Sequence, residues 1–286
     1  MRYHNLIKLG ENFLEEKNIL RPKYESILLF SEINKINFSD YYINKEQKIS
    51  KTQIKMFLKK IVLRGMGKPL SKIIGKKEFY SREFFVNSQT LDPRPETELI
   101  IDLIKNFKGN FSKSIKILDL GTGTGCIIIS LYLELIKKKI NVTGDATDIS
   151  MEALKIAQKN ARHHNIGKKI IFFKSNWFSN VKNKFDIIVS NPPYIKKSEI
   201  NSLPSEVKNF DPEVSLCGGY DGLNAYKRIA DEAKDYLKKN GFILVEVGSN
   251  QSRKVKKIFE LQGFNSICTA RDLLNKERVI IFKNKI

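Results

Sequence analysis

Ile115-Lys116-Ile117-Leu118-Asp119-Leu120-Gly121-Thr122-Gly123-Thr124-Gly125 decides the fold. Its first half is a short apolar run bounded by turn residues, the pattern of a buried strand. Its second half sets glycines at alternate positions, where a tight turn can bring backbone close to a ligand at a helix N-terminus. A helical pattern follows from Cys126 to Ile136, and a second strand, Asn141 to Thr147, ends at Asp148. Asp148 follows the last loop glycine by about the spacing of an acidic residue that grips ribose hydroxyls. Together these predict a nucleoside-binding βαβ unit. The Gly-x-Gly-x-Gly pattern lacks the third glycine of the dinucleotide fingerprint, and this favours S-adenosylmethionine, which has no pyrophosphate to cradle, over NAD. A glycine turn with no ligand is the alternative if the loop is read alone.

Downstream, the apolar run Phe185 to Ser190 leads into Asn191-Pro192-Pro193-Tyr194. The Asn191 side-chain oxygen and the Pro192 carbonyl can both accept from one planar NH2 group. Two prolines stiffen the turn and hold these acceptors in place, while Tyr194 offers a flat face or closes the turn against the core. Such a cage suits an amide or an amino-heterocycle whose nitrogen must be aimed at an electrophile. Asn191, Pro192, Pro193 and Tyr194 are the expected substrate contacts, and Asn191, Pro192 and Tyr194 the expected catalytic ones.

From Tyr3 to about Lys60, apolar residues such as Leu6, Leu9, Phe13 and Leu14 recur at helical spacing, and Gly65, Gly67 and Pro69 then break the pattern. Ser71 to Val86 reads as a hairpin. After Glu96, strand and helix patterns alternate, which argues a mostly parallel sheet covered on both faces. The expected organisation is a small helical N-terminal domain over 1–70, a hairpin linker over 71–92 and an α/β domain over 93–286. Gly121, Asp148, Trp177 and Asn191 each follow a predicted strand, so they converge beyond the strands' carboxyl ends.

The Gly121 to Gly125 loop, Asp148 and Asn191 to Tyr194 resemble the amino-group methyltransferases of the class I fold. Pro93-Arg94-Pro95-Glu96-Thr97-Glu98, Asp211 to Leu216, Gly218-Gly219-Tyr220-Asp221-Gly222-Leu223 and Asp272 to Arg278 resemble the peptide chain release factor glutamine methyltransferases, over nearly the whole chain. Asp92 and Asn176 depart from the commoner residues of that family. The resemblance implies a Rossmann-like, mostly parallel seven-stranded sheet with a final antiparallel pair. It also implies methyl transfer from S-adenosylmethionine to the side-chain amide (N5) of the Gln in the Gly-Gly-Gln motif of class 1 release factors, the expected partners. Asp119 would accept from the cofactor's α-amino group, and Gly121, Thr122, Gly123, Thr124 and Gly125 would line its methionyl part. Asp148 would hold the ribose, with Asn191 beside the cofactor. Trp177 with Phe178 would sandwich the adenine, unless Trp177 is a packed aromatic at the edge of the core. Pro93 to Glu98 starts a helix and would border both cofactor and peptide.

Other acceptors fit the same cage. Adenine N6 of DNA or RNA is one, and a ribosomal-protein glutamine is another. An inactive basic RNA-binding module is a different class, against which Asp148 and Asn191 speak. The net charge of +20 is compatible with ribosome association, although its Lys excess, accompanied by Ile and Asn, also fits a compositional bias. Hydrophobic content of 41% with 29% charged residues is globular usage. No charged-then-apolar leader or membrane-length run is seen, so no membrane contact and a cytoplasmic location are expected. Cys126, Cys217 and Cys268 lack metal-site spacing and are expected to be packed free thiols, with no metal. His4, His163 and His164 need no catalytic role.

Overall fold

The computed structural model describes residues 1–107 and 113–284. It divides into two compact units, Met1–Gly75 with Pro204–Phe210, and Lys76–Leu203 with Asp211–Ile286. Residues 108–112 and 285–286 of the expected 93–286 domain lie outside the described residues.

The first unit is helical: α1 (Tyr3–Glu16), α2 (Pro22–Asn34), α3 (Asp40–Ile43), α4 (Lys51–Gly65) and α5 (Leu70–Ile74). Pro22 occupies the first turn of α2, where a missing N–H costs nothing. Ser50 and Gln53 form a reciprocal cap on α4. Leu6, Leu14, Phe30, Phe57 and Ile61 fill its core. Helical periodicity did not reveal that residues 204–210 belong to this unit. A charge places them there: the buried Arg64 guanidinium pairs with Glu25 of α2 and, at 2.7 Å, with Glu206. The predicted hairpin also starts later than expected. Leu70–Ile74 is helical and is stopped by Gly75 in the left-handed region, so only β1 (Lys76–Phe79) and β2 (Arg82–Phe85) form the antiparallel pair.

The second unit holds a seven-stranded sheet in the order β5-β4-β3-β6-β7-β9-β8. Its strands are β3 (Ser114–Leu120), β4 (Asn141–Asp148), β5 (Ile170–Lys174), β6 (Phe185–Ser190), β7 (Leu237–Glu246), β8 (Phe264–Arg271) and β9 (Glu277–Asn284). The first five run parallel, and β9 pairs antiparallel with β7 and β8. Strand alternation divides the apolar residues between two cores. Ile117, Ile187, Val189 and Leu244 face one core, with α6 (Glu98–Lys105) and α7 (Cys126–Lys137). Leu118, Ile188, Ile243 and Val245 face the other, with α10 (Asn224–Tyr236) and α11 (Ser252–Leu261). Burial on both faces is why these strands read as near-continuous apolar runs. The remaining helices are α8 (Met151–His163), after β4, and α9 (Ser205–Lys208), in the segment that joins the first unit. Among the described residues, no helix is long and apolar enough to cross a membrane.

Candidate active site

Register sets the site. Leu120 lies level with Thr147 on one side and Ser190 on the other, and Ser190 lies level with Val245. The next residues, Gly121, Asp148, Asn191 and Glu246, therefore stand in one row at the carboxyl ends of four adjacent strands. Chain progress reverses between β3 and β6, the point at which open α/β sheets bind ligands. A cavity of about 550 Å³ opens there, with Gly121, Gly123, Asp148, Trp177, Asn191 and Pro193 in its wall.

The glycine turn is a backbone cradle. Gly121 and Gly123 have φ of +71° and +54°, and a Cβ added to either would meet nothing within 4 Å. They are glycines for backbone freedom and leave open space beside them. Thr122 and Thr124 are buried and outside the cavity wall, where they brace the turn. The Thr122 N–H donates to the Thr147 carbonyl (2.8 Å), and its hydroxyl donates to Asp119 Oδ2 (2.6 Å). The Thr124 carbonyl accepts from Asn160 Nδ2 (2.9 Å), a buried amide that also exchanges hydrogen bonds with the Phe85 backbone.

Asp119 is fully buried and, like the two threonines, outside the cavity wall, and its Oδ1 has no hydrogen-bond partner among the described residues. Burial pushes its carboxyl up to about 7, against the Thr122 hydrogen bond, with Asp148 adding its charge. Asp148 lines the cavity while already engaged: Oδ2 accepts from Gly123 N–H and Oδ1 from Ser150 N–H, both at 2.9 Å. Each carboxylate oxygen has a second lone-pair direction, so anchoring the turn and accepting from hydroxyls are compatible. Burial raises the Asp148 carboxyl pKa as well. The expected aromatic sandwich needs correction. Trp177 lines the cavity and also packs on the second core, whereas Phe178 is wholly buried there and stacks on Tyr236 at 4.7 Å. One ring faces the cavity, not two, because the turn after β5, with Trp177 at φ +54°, directs Phe178 into the core. Cys217 and Asn176 also line the cavity and Cys268 is exposed, so packing accounts fully for Cys126 alone.

Asn191 and Pro193 face the cavity, Pro192 is buried, and Tyr194 packs partly buried on the second core. Burial pushes the Tyr194 phenol up to about 12, with the Glu246 charge adding. A glycine strip backs this turn closely. A Cβ on Gly218 would stand 2.7 Å from the Pro193 carbonyl oxygen, and one on Gly222 2.5 Å from that of Tyr194. Ile195 bridges Cys217 in parallel, and Gln251 Nε2 donates to the Tyr194 carbonyl (2.9 Å). Asn191 is held by Thr97, from the Pro93 to Glu98 segment expected to border the site, and through it by Glu246, which had no role in the sequence reading. Asn191 Nδ2 donates to Thr97 Oγ1 (3.1 Å), and the Thr97 hydroxyl donates to Glu246 Oε2 (2.6 Å). Thr97 and Glu246 are buried, and burial pushes the Glu246 carboxyl up to about 7. A lone acid inside the apolar run Phe242 to Val247 was the available signal.

Comparison with known proteins follows the same division. Residues 5–75 match the PrmC N-terminal domain and residues 95–205 the methyltransferase small domain. The chain is 35% identical to the release factor glutamine methyltransferase of Agrobacterium fabrum, across 94% of this chain and 93% of that one. It is 40% identical to the bifunctional methyltransferase of Rickettsia prowazekii, across 93% of this chain but 54% of that one. It thus spans about half the length of the Rickettsia relatives it matches. A solved methyltransferase from Pyrococcus furiosus superposes with a TM-score of 0.52 at 18% identity, covering 82% of this chain and 98% of that one, a likeness of fold.

Proposed function

This chain belongs to the release factor glutamine methyltransferase family, and we propose that it methylates the side-chain amide nitrogen of the Gln in the Gly-Gly-Gln motif of class 1 release factors. The donor is S-adenosylmethionine, which when bound supplies a sulfonium methyl group for a single displacement. The residues present fit that cofactor. Gly121 and Gly123 leave room against the backbone, and the orphaned Oδ1 of Asp119 suits a cationic amine. Asp148 takes the ribose hydroxyls and Trp177 covers the base.

The observation that carries the acceptor reading is the Asn191 amide. Its NH2 end is engaged by Thr97, which leaves Oδ1 to accept. An amide nitrogen is a poor nucleophile while its lone pair is shared with the carbonyl. With Asn191 Oδ1 and the Pro192 carbonyl each accepting one hydrogen, the nitrogen is held at one angle. The same two acceptors favour the positive charge that grows on nitrogen in the transition state. The proton that becomes acidic leaves without a strong base. Release factors work in translation, which puts this activity in the cytoplasm, and the charge of +20 supplies attraction to the ribosome.

Labelled methyl transfer to a class 1 release factor tests the reading, beside its Gln→Ala tip variant, a ribosomal-protein fraction, and DNA and RNA. Label confined to the tip Gln is expected. Label on adenine with the release factor untouched would overturn the acceptor assignment.

A further inference from the structure

Glu246 closes the parallel strand β7 and is 1% exposed. A carboxyl group so placed is destabilising unless its surroundings compensate. Among the described residues, no ion pair to Glu246 does so. Arg278 lies near but pairs with Asp272 at 2.7 Å, and Arg94 pairs with Asp211 at 2.7 Å. What Glu246 does hold is the hydroxyl hydrogen of Thr97, at 2.6 Å.

A hydroxyl has one hydrogen to give. Once the Thr97 hydrogen is given to Glu246, Oγ1 can only accept, and the atom it accepts from is Asn191 Nδ2 at 3.1 Å. A carboxamide turned over would set an oxygen against an oxygen there, with no hydrogen between them. As the carboxylate, which can only accept, the buried acid therefore decides which way round a cavity-lining amide stands. We propose that Thr97 and Glu246 are positioning residues that fix Asn191 as a hydrogen-bond acceptor and so select an acceptor group bearing an NH2. With the relay reversed, Asn191 would present its own NH2 and favour a carbonyl or carboxylate instead. This rests on the reading of Asn191 given above.

The relay and that reading are separable by experiment. The assay is single-turnover methyl transfer from labelled S-adenosylmethionine to a class 1 release factor, with melting temperatures recorded for every variant. Thr97→Val keeps the branched shape and loses the acceptor. It is expected to lower the transfer rate by about tenfold, the cost of one unmade hydrogen bond, with cofactor affinity unchanged. Thr97→Ser, which restores the hydroxyl, should return the rate to within about threefold of the native value. In an Asn191→Ala background Thr97→Val should cost nothing further, since its effect passes through that amide. Glu246→Gln offers a group that can donate as well as accept, and should fall between native and Thr97→Val. A stable Thr97→Val at full rate would overturn the relay, as would a loss that adds in full to Asn191→Ala. If Thr97→Val does not fold, a Thr97→Ser variant that folds but stays as slow as Asn191→Ala has the same force. A fully active Asn191→Ala would instead overturn the acceptor reading, and the relay with it.

Discussion

Around Gly121 the cavity wall is backbone, whereas around Asn191 it is a side chain held by other side chains. At the first end, glycines with positive φ leave space, and Asp148 and Thr122 pin the turn. At the second end, a glycine strip presses on the turn from behind and a buried hydroxyl and carboxyl orient the amide. The difference teaches where each end tolerates change. A cradle of backbone responds to added bulk, while an oriented amide responds to loss of any partner. Affinity for the cofactor should therefore track the first end, and the rate of transfer the second.

The largest break is expected at the second end. Asn191→Ala should lower turnover by on the order of 10²-fold or more with cofactor affinity nearly intact. Kinetics beside calorimetry reads both, and a fall in affinity would erase the contrast between the ends. Asp148→Ala tests the first end: two backbone N–H groups lose their acceptor, and cofactor binding should weaken by about 10- to 100-fold. An unchanged dissociation constant would remove Asp148 from the cofactor's contacts.

Two alanines sharpen the comparison through stability. Gly222→Ala combines a φ of +74° with a methyl 2.5 Å from the Tyr194 carbonyl. It should cost about 2 kcal/mol in denaturant unfolding and slow transfer as well. Gly123→Ala meets no neighbour, so it should cost only about 1 kcal/mol of backbone strain while weakening cofactor binding. Equal costs at both glycines would mean that the backing strip is not tight.

The smallest effect is a proton count. Asp119 sits at about 7 because of its burial, so it is largely protonated below that value. An ammonium group bound beside it favours the carboxylate, so cofactor binding near pH 6.5 should expel up to one proton. Affinity should accordingly rise with pH and level off above about 7. Calorimetry in buffers of different ionisation heat would show the release, and Asp119→Asn should abolish it.

Much of this was legible in the chain. Strand-turn-helix around Gly121, the acid at Asp148 and the turn at Asn191 are local patterns, and the central strands β3 and β6 bury both faces, so each reads as an apolar run. Phe178 was misread because two adjacent aromatics look alike in sequence, while the turn after β5, with Trp177 in the left-handed region (φ +54°), sends their side chains in different directions. Thr97 was placed only as part of the Pro93 to Glu98 segment and Glu246 had no assigned role, because their partnership spans 149 positions and hydrogen-bond polarity leaves no periodic trace.

By itself the sequence determined the alternation of strands and helices, the glycine cradle and the residue types at the strand ends, because periodicity and backbone freedom are properties of short segments. Only the tertiary structure decided that Gly121, Asp148, Asn191 and Glu246 stand level in one row. It also decided that residues 204–210 join the helical unit and that the Asn191 amide faces one way. Those outcomes depend on strand register, on the pairing of the buried Arg64 with a half-exposed Glu206 and on the desolvation of Glu246, all of which arise only when distant segments come together.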